Sequence, residues 1–191
     1  MQIQKDTVRS KIVSSARGEF LNFGYENSSM RNIAANAGIT VGNIYSYFAS
    51  KEDLFDTIVL GTVKQIEGLI LIKLSTNNRI TKESAKEVTN QIMNTVLSDV
   101  EIFLILMNSA GGSKYENAKT VVQIQIKERL IADLIPQLHV GIENEILADT
   151  LSLVLLDGII NIVIKSENKI IMKKLICDFL LMVFGNIGER L

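Results

Sequence analysis

Apolar side chains recur every three or four positions over most of this chain, and that period, broken by polar punctuation, predicts helices. Val8, Ile12, Val13, Ala16, Phe20 and Leu21 give one stripe to a helix from about Thr7 to Asn22. Ser29 then caps a helix from Met30 to Ala37, Gly38 supplies the left-handed turn that ends it, and Thr40 caps another from Val41 to Tyr47. Ser50, with Asp53 three residues on, starts a helix from Lys51 to about Leu74, with bends expected near Gly61 or Gly68. The polar stretch Ser75 to Lys82 reads as a loop. Further helices are expected over about Glu83 to Leu97, Val100 to Ala110, Tyr115 to Leu138, Ile146 to Lys165 and Lys169 to Gly188. Gly111-Gly112 and Pro136 act as stops. No run shows the sustained alternation of half-buried strands. The expected fold class is therefore all-α, with an N-terminal three-helix helix-turn-helix domain over residues 1–50 and a helical second domain over 51–191.

The two short helices sort their residues by chemistry. Ile33, Ala34, Ala37, Ile39, Ile44 and Phe48 make a compact inner side, which leaves Arg31, Asn32, Asn43, Ser46 and Tyr47 outside. Those donors and acceptors suit base edges and phosphates better than a core. Lys51 stands at a helix N-terminus, where free amides already favour an anion such as a DNA phosphate.

Residues from about Thr7 to Phe55 resemble the N-terminal DNA-binding domain of the TetR family of bacterial transcriptional regulators. Phe20 with Phe23-Gly24-Tyr25 resembles the family's end of helix one, and Ser28 to Ala37 its second helix with Ser29-Met30-Arg31 and Ile33-Ala34. Gly38 to Phe48 is similar to its turn and recognition helix, and Ser50-Lys51-Glu52 with Leu54 to the start of its fourth. Five pieces in order at the right spacing carry a weight that no single piece has. Two positions depart from the pattern. Val41 stands where many members carry a polar or basic residue, which exchanges one expected contact for an apolar one such as a thymine methyl. Asn32 stands where aspartate is common. The resemblance implies DNA contacts from Ser29, Arg31, Thr40, Val41, Gly42, Asn43, Tyr45, Ser46, Tyr47 and Lys51, with Tyr45 and Lys51 nearer phosphate. It also implies a homodimer that a small-molecule effector releases from a double-stranded DNA operator.

Charge adds to this picture. The net charge of −1 would not suggest nucleic acid, but residues 1–51 carry six Lys/Arg against three Asp/Glu, a net +3 that leaves −4 elsewhere. A basic head on an acidic body fits contact with DNA at one end. Cys177 is alone, which excludes a disulfide or cysteine metal cluster within the chain and is expected to be a buried small hydrophobe. With one histidine and no phosphate loop, metal-ligand cluster or nucleophile motif, no catalytic residue, metal or cofactor is expected, and an enzyme is disfavoured. The first residues lack the apolar core of a signal peptide, and no apolar run is expected to approach the roughly 20 residues of a membrane span. A cytoplasmic protein with no membrane partner follows as the expectation.

The last two helices differ in kind. Thirteen of 20 residues from Ile146 to Lys165 and 12 of 15 from Ile170 to Phe184 are apolar, whereas one core-facing stripe needs roughly three in seven. The surplus points to a twofold four-helix bundle using Leu151, Leu155, Ile159, Ile162, Leu175, Phe179 and Met182, in line with the resemblance, against a monomer with a deeply buried hairpin. Met93, Val96, Phe103, Leu106, Met107, Ile126 and Leu130 are the candidates for an apolar effector cavity, though the same spacing serves an ordinary core. His139, near Pro136, is a weaker candidate for sensing a ligand. The alternative function is a DNA-bound interaction protein whose body recruits a protein partner and takes no effector.

Overall fold

The computed structural model describes residues 2–70, 82–133 and 143–184. Among them are nine α-helices and no strand: α1 (Gln2–Asn27), α2 (Met30–Asn36), α3 (Val41–Ile44), α4 (Lys51–Ile70), α5 (Lys82–Ser98), α6 (Val100–Asn108), α7 (Ala118–Asp133), α8 (Glu143–Lys165) and α9 (Lys169–Phe184). Helix α4 is continuous past both of its glycines. The expected loop after Leu74, the segment holding Pro136 and His139, and the end of the last helix lie outside the described residues.

The chain divides into two compact units, residues 1–64 with 99–119, and residues 65–98 with 120–191. In the first unit, Ile12, Ala16 and Phe20 of α1 are wholly buried with Ile33, Ala34, Ile44, Leu54, Phe55 and Val59, while Leu21 and Phe23 remain exposed. Phe55 is the hub: its ring lies tilted to that of Tyr115 at 6.2 Å and meets Phe20 and Tyr25 edge-on, at 4.9 Å each. Such edge-to-face pairs add to the apolar burial because each ring's positive edge meets a negative face. The first helix breaks at Gly24 (φ 74, ψ 164), a conformation that L side chains rarely adopt. The break frees the amide of Tyr25 to donate to the carbonyl of Ser109 at 2.8 Å, just beyond α6. The same face of the unit holds Arg17 to Asp99 (2.6 Å) and Glu101 (2.8 Å), and Asp56 of α4 accepts from Tyr115 and pairs with Lys114 at 2.8 Å. These contacts bring α6 and the turn after it into the same unit as α1 to α3.

In the second unit α9 packs on α5 and α8. Leu155, Leu156, Ile159, Ile160 and Val163 of α8 are buried with Met172, Ile176, Leu180 and Phe184 of α9. Gly158 is required here by close approach, since a Cβ at that position would overlap the ring of Phe179. Asn168 caps α9, its side-chain oxygen accepting from the amides of Ile170 and Ile171 at 3.0 Å each. Helix α8 corrects the sequence expectation on apolar length. Its segment 144–165 has a mean hydropathy of 1.9 over 22 residues, long and apolar enough on those two criteria to cross a membrane. Apolar residues cluster on both faces of α8, so a count of consecutive apolar positions understates the helix. One face packs on α9 as described, and Asp149 and Asp157 interrupt the rest.

Candidate nucleic-acid interface

Two capped turns build the interface. The Ser29 hydroxyl accepts from the amide of Asn32 at 3.1 Å and the Thr40 hydroxyl from that of Asn43 at 3.2 Å, so each helix begins where its sequence cap stands. Gly38 has the positive φ of 69° that turns the chain between them. Helix α3 is shorter than its apolar spacing implies, ending at Ile44 and continuing as turns through Tyr47. Ile44 and Phe48 seat this segment in the core, and Arg31, Val41, Gly42, Asn43, Tyr45 and Ser46 are exposed, with Ser29 and Tyr47 half-buried. Ser46 donates to the Asn43 carbonyl at 2.7 Å and reaches its side-chain oxygen at 3.3 Å, which leaves the Asn43 NH₂ as an outward donor. The surface as a whole offers hydroxyls, one amide, one guanidinium and the Val41 methyls on a single exposed ridge.

Beneath the ridge lies a polar contact that the apolar stripe of α1 concealed. Glu19 is only 3% exposed, yet its two carboxylate oxygens accept from the side-chain amides of Asn32 (3.0 Å) and Asn36 (3.4 Å). It ties α1 to the first helix of the reader from below. Asparagine rather than aspartate at position 32 is therefore matched to its neighbour, because a second carboxylate there would face Glu19.

Lys51 has a different setting from the one its sequence position suggests. Its ammonium donates to the carbonyls of Tyr25 (2.6 Å), Ser28 (2.9 Å) and Glu26 (3.3 Å) and lies 4.2 Å from the centre of the Tyr25 ring. Three donors meet three acceptors. Burial lowers the Lys51 pKa, with Glu26 partly opposing the shift, and burial chiefly raises that of Tyr25. The lysine thus closes the end of α1 against the start of α4, a contact across 26 positions that no local pattern announces.

The other candidates divide between the units. Phe103, Leu106 and Met107 are buried on α6 in the first, while Met93, Val96 and Leu130 are buried and Ile126 half-buried in the second. Of the bundle candidates, Leu155 and Ile159 are buried within their own unit, Leu151, Ile162 and Phe179 are half-buried, and Leu175 and Met182 are exposed. The exposed apolar positions of α8 and α9 also include Ile146, Leu153, Val154, Ile164, Ile170 and Ile171. Cys177 is half-buried.

Residues 12–58 match the family model described as bacterial regulatory proteins, tetR family. Over 60 residues the chain is 35% identical to the HTH-type transcriptional regulator UidR of Escherichia coli strain K12, an alignment that spans 31% of each protein. The chain thus aligns with about a third of that relative's length. Among solved structures it is similar to a TetR-family regulator from Streptomyces coelicolor A3 (TM-score 0.63, 17% identity, 92% of this chain and 90% of that one). It is also similar to the fatty acid degradation regulator FadR from Bacillus halodurans (TM-score 0.58, 20% identity, 94% and 96%). At these identities the structural likeness establishes the fold across nearly the whole chain, and the family assignment rests on the matched N-terminal region. Residues 12–58 thus carry a helix-turn-helix domain of the kind found in bacterial regulatory proteins of the tetR family.

Proposed function

We propose that the protein is a dimeric transcriptional repressor whose paired readers bind an operator and are released by a small, largely apolar effector. The observation that carries the DNA reading is the set of exposed polar residues from Arg31 to Ser46, capped by Ser29 and Thr40 and seated by Ile44 and Phe48 on a closed core. A short helix with an outward polar face and an apolar underside is the form that enters a major groove. Dimerisation is supported by the exposed apolar residues of α8 and α9, led by Met182 (79%) and Ile170 (83%), which a second copy would cover. The effector draws support from the family and from the name of the Bacillus halodurans neighbour, a fatty acid degradation regulator. Release follows if the effector favours a separation of the two readers that no longer matches the helical repeat. The alternative, recruitment of a protein partner, draws on Val121, Ile124 and Ile131, which are exposed along α7.

Selection of an operator from random duplexes, followed by binding of wild type and of Arg31→Ala/Tyr47→Ala, tests the reader. The double variant should lose most of the affinity, and equal affinity would refute the assignment. Effector candidates are then tested by linkage. A compound that weakens operator binding must itself bind less tightly to the DNA complex by the same factor, and one that stabilises the protein without changing operator affinity is not the effector.

A further inference from the structure

We propose that Arg9, on α1, is a phosphate contact of the reader and the source of the salt dependence that the sequence assigns to Lys51. The proposal rests on the DNA-binding reading above. The basic residues of the first unit differ in what they already hold. Arg17 is taken by Asp99 and Glu101, and Lys51 by three carbonyls. The exposed Arg9 instead lies over the ring of Phe48, 5.0 Å from its centre. Among the described residues no acceptor meets its N–H groups, and Asp6, one turn earlier, makes no ion pair with it.

A cation–π contact uses the charge of a guanidinium and none of its N–H groups as hydrogen-bond donors, so the side chain is held in place without losing its donors. A guanidinium held this way loses less freedom on meeting a phosphate than one waving in water. The position is right as well. Phe48 is 2% exposed and its amide donates to the Ile44 carbonyl at 3.1 Å, which fixes the ring to the end of the recognition segment. A helix of roughly 10–12 Å diameter fills a major groove of roughly 12 Å, so a side chain on the adjoining helix beside that end meets the groove wall, which is phosphate. Lys5, four residues before Arg9 and exposed, adds positive field on the same side of α1.

The test measures operator affinity of wild type, Arg9→Gln and Arg9→Lys across salt concentrations, together with thermal unfolding. Arg9→Gln should weaken binding to all duplexes alike and flatten the plot of log affinity against log salt by about 0.9 for each Arg9 bound, or about 1.8 for a dimer. Between 50 and 200 mM salt the wild-type advantage should then shrink about twelvefold for a dimer. Arg9→Lys should restore the slope but not the full affinity, because an ammonium lacks the planar fork. A wild-type slope in Arg9→Gln overturns the proposal and leaves the DNA reading standing. Loss of the thermal transition in Arg9→Gln also overturns it, making Arg9 a prop for Phe48. Failure of wild type to bind any selected duplex overturns the DNA reading itself, and this proposal with it.

Discussion

Replacing Lys51 by methionine separates a structural lysine from a DNA ligand. Methionine keeps the length of the stem and its contact with the Tyr25 ring, while removing the charge and the bonds to the carbonyls of Tyr25, Ser28 and Glu26. A hydrogen bond to a charged group contributes about 1.5–3 kcal/mol net. The three do not add, because the longest is weak at 3.3 Å and its acceptor, the exposed Glu26 carbonyl, can rehydrate once the ammonium has gone. The burial that lowers the lysine's pKa opposes the bonds further. The expected loss is about 2–3 kcal/mol. For a chain of this length each kcal/mol moves the midpoint by about 2–4 °C, so the circular-dichroism melt should fall by about 4–12 °C. The salt slope of operator binding by the folded variant should stay at its wild-type value. An unchanged melt with a slope flattened by about one unit per lysine would show that Lys51 leaves its carbonyls for a phosphate, and the structural reasoning would fail.

Asn32→Asp places a second carboxylate against Glu19, now 3.0 Å from the Asn32 amide; we expect a loss of about 1–3 kcal/mol in chemical denaturation at neutral pH that shrinks on acidification, whereas a neutral effect at all pH values would refute the coupling. Asp56 carries a pKa below its ordinary 3.8, first because of the hydrogen bond from Lys114 and then that from Tyr115. Its contribution is therefore complete above about pH 4 and lost as the pH falls below that value, so Asp56→Asn should remove that contribution from the acid dependence of a pH-melting series. Solvent screens this exposed pair, so the change should be small, and a large one would mean the anchor does more than bridge charges. Leu153→Glu with Met182→Glu places charge on exposed apolar positions of α8 and α9; sedimentation should show the dimer dissociate with an unaltered monomer melt, and a wild-type sedimentation coefficient would remove these faces from the interface.

Local chemistry was readable and distant closure was not. Ser29, Gly38 and Thr40 act on residues two to five positions away, and each stands in the structure where the sequence places it. The length of α3 was overestimated because Tyr47 and Phe48 continue the apolar spacing while the backbone has already left the helix for turns. Lys51 closes on carbonyls 23 to 26 positions away and Arg17 on carboxylates 82 and 84 away, partners that no periodicity indicates. The inner and outer sides of α8 could not be told apart because both are apolar: Leu155 and Ile159 turn inward, while Leu153 and Val154 remain outside. Arg9 and Glu19 were missed for the same reason, their partners being set by the crossing of α1 over the reader. An arginine and a carboxylate within an apolar stripe were the only signals available.

The first unit is drawn from two separated stretches of chain, with residues 65–98 looped out between them. Closing a loop of that length costs about 3 kcal/mol in chain entropy before Arg17, Tyr25 and Asp56 gain their partners. During synthesis the reader helices emerge first but stay incomplete until position 119 has been added, about 3 to 11 seconds after position 64 at 5–20 residues per second. Until then the face of α1 that takes Ser109 and Asp99 has no cover, so the reader's core stays open on that side.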